Sequence, residues 1–159
     1  MDKTVFAVCH QEPYHFRVAE GGEALTPEDA GRLEAFLKPS HIVVVATIGR
    51  NGMPHLTPNW YYYAHETLMI STTKERVKYR NLTRDNRMSV CIYSEPRAQD
   101  YVTLWGRVTI RDDASIWPDT RAIVARYVPA PDVEARLQQL RTQNRVILDF
   151  KPERVLFRA

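Results

Sequence analysis

From His41 to Ile48 the chain runs His-Ile-Val-Val-Val-Ala-Thr-Ile, an almost unbroken series of apolar and β-branched residues. Such a run favours extended backbone, and its continuous apolar character suits a strand buried on both faces. Asn51-Gly52 follows closely, a dipeptide that accepts the positive φ angles of a tight hairpin. Further strands are expected from about His55 to Ala64 and from Leu68 to Thr72. After a helical segment, Lys74 to Asp85, another is expected from Met88 to Ser94. Tyr101 to Arg111 alternates, with Val102, Leu104, Val108 and Ile110 on one face and Tyr101, Thr103, Trp105 and Arg107 on the other. Val146 to Phe150 and Arg154 to Arg158 close the series. Parallel winding would need a helix between most strand pairs, and the sequence lacks them. The expectation is a mainly β antiparallel barrel of six or more strands, since closure removes exposed edges.

Three helices pack against that sheet. Thr26 caps the first, Pro27 fits its first turn, and Glu28 and Asp29 sit at the positive end of its dipole. Ala30, Leu33, Phe36 and Leu37 make its apolar stripe, and Pro39 ends it. The second uses Ile123, Val124 and Tyr127, and the third Val133, Leu137 and Leu140. Residues 1–24 read as an irregular arm with Pro13 and Gly21-Gly22, leaving one domain over residues 25–159.

Composition narrows the function. With 44% hydrophobic and 26% charged residues the chain is of the soluble globular type. Its longest apolar stretch, Ile42 to Ile48, is far short of a membrane span. No apolar signal core follows Asp2 and Lys3, so a cytoplasmic protein is expected, with Cys9 and Cys91 as free thiols. The net charge of +3 favours an anionic ligand but is too small to demand nucleic acid.

Two segments carry chemistry. Ser71-Thr72-Thr73 brings three hydroxyls to the start of a helix, and Lys74, Arg76, Lys78 and Arg80 follow. Hydroxyls and cations gathered where helix N–H groups lack partners suit a phosphate; a solvated helix with a basic face reads the same locally. Trp60-Tyr61-Tyr62-Tyr63 places two aromatics on each face of a strand. The outward pair needs cover, from a partner subunit or from a flat ring. His10, His15, His41, His55 and His65 have no metal-ligand spacing, so no metal is expected. Neither a Gly-rich phosphate loop nor a catalytic acid or nucleophile stands out, so hard chemistry would be borrowed from a cofactor.

Taken in order, these residues resemble a known family. Val45-Ala46-Thr47-Ile48, Asn51-Gly52-Met53-Pro54-His55 and Pro58-Asn59-Trp60 look like the opening of the pyridoxamine-phosphate-oxidase-like, FMN-binding split-barrel family. The stretch from Lys78 to Arg87, with Asn81-Leu82, resembles its helix signature, and Gly106-Arg107-Val108 before Asp112-Asp113 its glycine–arginine strand and acidic turn. The resemblance covers about residues 36 to 158. It implies a homodimeric split barrel holding flavin mononucleotide (FMN) or the deazaflavin coenzyme F420, and hydride transfer to a small molecule.

By the same resemblance Thr57, Asn59 and Trp60 line the ring, while Ser71, Thr72, Arg76 and Lys78 hold the phosphate. Asn81 is a signature residue that braces the helix, and Tyr101 falls where some members reach the cofactor from the second subunit. The spaced pair Arg76-x-Lys78 leans towards the F420-binding branch, which also includes flavin users. A deazaflavin tail would need further cations, and Lys74 and Arg80 are nearest in sequence. The family's substrate-binding C-terminal segment has no counterpart in this sequence, so the expected substrate is not a B6 vitamer. Two other functions fit the same residues: a non-catalytic carrier or sensor of flavin, deazaflavin or haem, and a basic nucleic-acid-binding barrel.

Overall fold

The structure is a computed structural model in which residues 26–158 are described. The expected arm at 1–24, with Cys9, His10 and His15, lies outside them. In chain order the elements are α1 (Pro27–Leu37), β1 (Val43–Ile48), β2 (Pro54–Asn59), β3 (Tyr62–Ala64), β4 (Thr67–Thr73), α2 (Val77–Arg84), β5 (Arg87–Tyr93), β6 (Tyr101–Arg111), α3 (Ile116–Tyr127), α4 (Val133–Arg141) and β7 (Arg145–Arg158).

All seven strands join one antiparallel sheet in the order β2-β1-β5-β6-β7-β4-β3. The two edge strands, β2 and β3, are consecutive in the chain and joined only by Trp60 and Tyr61. A flat seven-stranded sheet would hold its edges far apart, so this one curls until they meet. The inner faces enclose one core that includes Val43, Val45, Val90, Leu104, Leu148 and Phe150. The fold is therefore a split barrel of mainly β structure, as the strand pattern predicts.

Several expectations are corrected in detail. The strand expected from His55 to Ala64 is broken at Trp60-Tyr61, because the chain passes there from one edge of the sheet to the other. The two strands expected at the C-terminus are one 14-residue strand. A register shift beside Trp105/Gly106 lets Pro152 stay within the ladder. Gly106 is required at that point, since a Cβ there would stand 2.0 Å from the Lys151 carbonyl oxygen. The helix after β4 starts at Val77 rather than Lys74. Residues 73–76 instead form a turn closed by Arg76 N–H donating to the Thr73 carbonyl at 3.1 Å. Strand β1 is buried on one face only: Val43, Val45 and Thr47 point into the core, while Val44, Ala46 and Ile48 stay half-exposed.

The hairpin at Asn51-Gly52 forms as expected. Gly52 has φ +80°, and Gly49 N–H donates to the Met53 carbonyl at 2.9 Å. The helix stripes are also as read: Leu33 and Leu37 of α1, Ile123 and Val124 of α3, and Val133, Leu137 and Leu140 of α4 are buried. Helix α3 lies on the outer side of β4 and β7, where Ile116 and Ile123 meet Met69 and Ile147. Among the described residues no helix is long and apolar enough to cross a membrane.

The aromatic run finds its cover within its own chain. Trp60 stacks on Tyr127 of α3, with ring centres 5.0 Å apart and planes 3° from parallel. Tyr61 is fully buried and donates to the carbonyls of Leu37 (3.0 Å) and Pro39 (3.2 Å). Tyr62 packs against the cluster under α3, and Tyr63 against the barrel core. One face of Trp60 is thus already occupied by a protein ring.

Candidate functional site

Residues directly opposite each other in an antiparallel pair share a face, and neighbours along a strand alternate between faces. These two rules sort the candidate residues. Thr57 and Asn59 pair with Val45 and Val43, both core residues, so they point to the inner side of the curl. There the Asn59 amide nitrogen donates to the Thr57 carbonyl (2.7 Å) and hydroxyl (3.2 Å), leaving its side-chain oxygen facing outward from that turn.

Lys78 takes that oxygen. Its Nζ donates to Asn59 Oδ1. The sequence suggested a solvated basic helix, but Lys78 is only 6% exposed. Helical spacing explains this: Lys78, Asn81 and Leu82 lie three and four residues apart, and all three are buried on one face of α2. Asn81 donates to Thr47 Oγ1 at 3.0 Å, so it braces the helix against β1, as the resemblance implies. Burial, then the positive charge of Arg76, lowers the Lys78 ammonium to about 8. No carboxylate among the described residues forms an ion pair with it.

Ser71 and Thr72 point to opposite faces. Thr72 pairs with Val146 of the barrel core and is buried, while Ser71 pairs with Ile147 beneath α3. Ser71 Oγ accepts from Arg145 Nη1 at 2.9 Å. Arg76 is exposed at the residue before α2, and lies near enough to both Lys78 and Arg145 to depress their proton affinity. Thus Thr57, Asn59, Lys78 and Asn81 gather on the inner side, Ser71 on the outer, and Arg76 stands between. Tyr101 is apart from all of these, opposite Tyr93 at the start of β6. It shares the outer sheet face with Trp105 and, across β5, with Ala46.

Arg145 is a residue of this region that the sequence did not mark. It stands alone in front of an apolar strand, 74 positions from Ser71. Only the pairing of β7 with β4 brings the two together, and no local motif encodes that pairing. The two further basic candidates fare differently. Lys74 is held by Asp112 at 2.8 Å, whereas Arg80 is exposed on α2.

A groove of about 690 Å³ lies on the other half of the outer sheet face, lined by Ala46, Ile48, Pro54, Ser89, Trp105 and Leu156 among others. Leu56, opposite Ala46, is 58% exposed, and Trp105 is 40% exposed. Exposed apolar surface of this kind marks an interaction face. Among the described residues no cluster of histidine, cysteine or carboxylate groups could hold a metal.

The fit of an anionic cofactor can be judged from these groups. A lysine ammonium buried with only an amide oxygen for partner is costly, and an oxyanion beside it offsets that cost. An exposed arginine and a half-buried one, neither ion-paired among the described residues, flank the same strand end. The residues present fit a phosphate-bearing group.

Comparison with known proteins agrees with the fold. Residues 30–159 match the family described as pyridoxamine 5'-phosphate oxidase. A conserved hypothetical protein from Mycobacterium tuberculosis has a similar structure, with TM-score 0.70, 21% identity and 86% of each chain covered. An F420 reductase matches with TM-score 0.61 and 22% identity, over 77% of this chain and 94% of that one. A haem storage protein from Vibrio cholerae matches with TM-score 0.60 and 16% identity, over 77% and 88%. Among curated proteins there is no match.

Proposed function

The chain belongs to the pyridoxamine 5'-phosphate oxidase family, and from that premise we propose that it is an oxidoreductase using F420 or FMN on a small-molecule substrate. The observation that carries the reading is Lys78, a nearly buried cation whose side chain meets only Asn59. In this reading Lys78 and Arg76 hold the cofactor phosphate, with Ser71 and Thr72 at the strand end below. Thr57, Asn59 and Trp60 set the position of the ring. The bound cofactor would supply hydride transfer to a carbonyl or conjugated double bond. The protein's own part is to bind, to orient and to keep water from one side, with no side chain assigned as acid or base.

We further propose a homodimer formed through the outer face of β1, β2, β5 and β6. The support is the exposed apolar surface there, with Met53 65% and Leu56 58% exposed. Tyr101 lies on that same face, where it would approach a site on the partner.

Absorbance titration of the purified protein with FMN and with F420, followed by turnover of the reduced cofactor, tests the function. Saturable binding of one of them with oxidation in the presence of an acceptor is the expected result. Binding without turnover would make the protein a carrier. Absence of binding to either would end this reading.

A further inference from the structure

Three arginines converge on the outer side of the β4–β7 pair. Arg145 begins β7, Arg76 precedes α2, and Arg136 lies on α4. Arg145 spends its guanidinium on neutral partners: Nη1 on Ser71 Oγ at 2.9 Å, and Nε and Nη2 on Gln143 Oε1 at 3.2 and 2.9 Å. Arg136 meets Gln139 Oε1 at 3.0 Å. None of the three forms an ion pair among the described residues, although every other strand end nearby is charge-matched, as Lys74–Asp112 and Arg111–Asp149 illustrate. Burial, then the charges of Arg136 and Arg76, pushes the Arg145 guanidinium down to about 10, so the three act on one another.

Like charges held together at a half-buried position repel, and a neutral amide and a hydroxyl relieve little of that. The arrangement is favourable once an oxyanion sits among them, because a guanidinium fork binds phosphate or carboxylate through paired, charge-assisted hydrogen bonds. A hollow of about 260 Å³ beside Arg145, walled by Trp117, Ile116, Gln143 and Asn144, gives such a group room. Asp112 and Asp113 also line this hollow. Asp112 is neutralised by Lys74, and Asp113 Oδ1 accepts from the Ser115 backbone N–H at 2.7 Å.

We propose that Arg145, with Arg76 and Arg136, forms an oxyanion-binding site on the outer side of β4 and β7, taking a phosphate-type group. The site deepens the cofactor reading above and rests on it only for the source of the anion. Arg76 is common to both sets of residues, so one phosphorylated ligand can span from Lys78 to Arg145. Alternatively the anion belongs to a separate molecule, such as a phosphorylated or acidic substrate.

Inorganic pyrophosphate is the probe that is independent of any cofactor. Thermal-shift and calorimetric titration of the wild-type protein should detect its binding, and Arg145→Met should weaken it at least about ten-fold, one charge-assisted contact being worth that much. Arg136→Gln changes a helix surface and leaves the strand intact, so it serves where Arg145→Met fails to fold; a three- to ten-fold loss is expected. Titrations with FMN and riboflavin, which differ in the phosphate, locate the source. If Arg145→Met erases the preference for FMN, the anion is the cofactor's; if it abolishes pyrophosphate binding and leaves that preference, the anion comes from a separate molecule. Pyrophosphate binding that is undetectable in the wild type, or unchanged in both variants, would overturn the proposal. Failure of the wild type to bind any flavin or deazaflavin would instead remove the cofactor reading while the pyrophosphate result stood.

Discussion

The ammonium of Lys78 donates to the side-chain oxygen of Asn59, joining the first turns of α2 to the last residue of β2 without a carboxylate. A buried cation matched only by an amide trades stability of the free protein for affinity towards an anion.

Replacing Lys78 by methionine separates these two effects. Cofactor affinity should fall roughly ten- to a hundred-fold, the value of one charge-assisted contact. Melting of the cofactor-free protein should be unchanged or raised by a few degrees, about 2–4 °C per kcal/mol for a domain this size. A clearly lower melting temperature in the free variant would mean that Lys78 is a structural residue.

The same lysine sets a pH dependence. Its proton affinity in the folded free protein is lowered to about 8. Above that pH the unfolded chain binds more protons than the native one, so the free protein's stability rises with pH from about 8 to the ordinary lysine range. Anion binding favours the charged form, so cofactor affinity should be flat just below pH 8. Above it, affinity should fall by up to about ten-fold per pH unit, with uptake of a proton. Isothermal titration in two buffers of different ionisation heat reads the proton directly. Lys78→Met should show no slope in this window.

Tyr61→Phe probes the junction between the two sheet edges. The hydroxyl donates to the carbonyls of Leu37 and Pro39, but Arg126 Nη2 also donates to both, at 3.1 and 2.9 Å. With acceptors still served, the loss should be about 1 kcal/mol. Arg126→Met alone should cost a similar amount, and the double variant more than the sum, as both carbonyls are then left bare. Urea denaturation of the four proteins checks this.

Light scattering should return about twice the 18.5 kDa chain mass at micromolar concentration. Leu56→Glu, on the exposed side of β2, should shift the protein towards monomer with little loss of melting temperature. A wild type that is monomeric at these concentrations would remove both the dimer and the role of Tyr101.

Much of this architecture is legible in the sequence because it rests on local periodicity. The alternation of β6 and the stripes of α3 and α4 are each complete within a dozen residues, and they appear where they were read. The break at Trp60-Tyr61 is hidden, since four aromatics in a row look the same along a continuous strand and around a corner between two edges. Lys78 illustrates a signal that was present: its spacing to Asn81 and Leu82 marks the buried face of α2, against the apparent basic run. Arg145 carries no such signal. Its partner Ser71 is fixed by the register of two strands far apart in the chain, and register is a property of the assembled sheet.

The position of β7 governs the order in which the barrel can be made. It is the last strand in the chain, yet it lies in the interior of the sheet, between β6 and β4. A chain emerging from the ribosome can pair β1, β2, β5 and β6 as they appear. The β3–β4 hairpin has no sheet neighbour until the final strand has been synthesised, and an isolated hairpin is marginal in water. Closing so long a loop is slow. During that interval Ile70 and Leu68, both fully buried in the finished protein, face solvent. Chaperone demand and aggregation during expression should therefore track substitutions in residues 145–158 more closely than equally buried ones in β1 or β5.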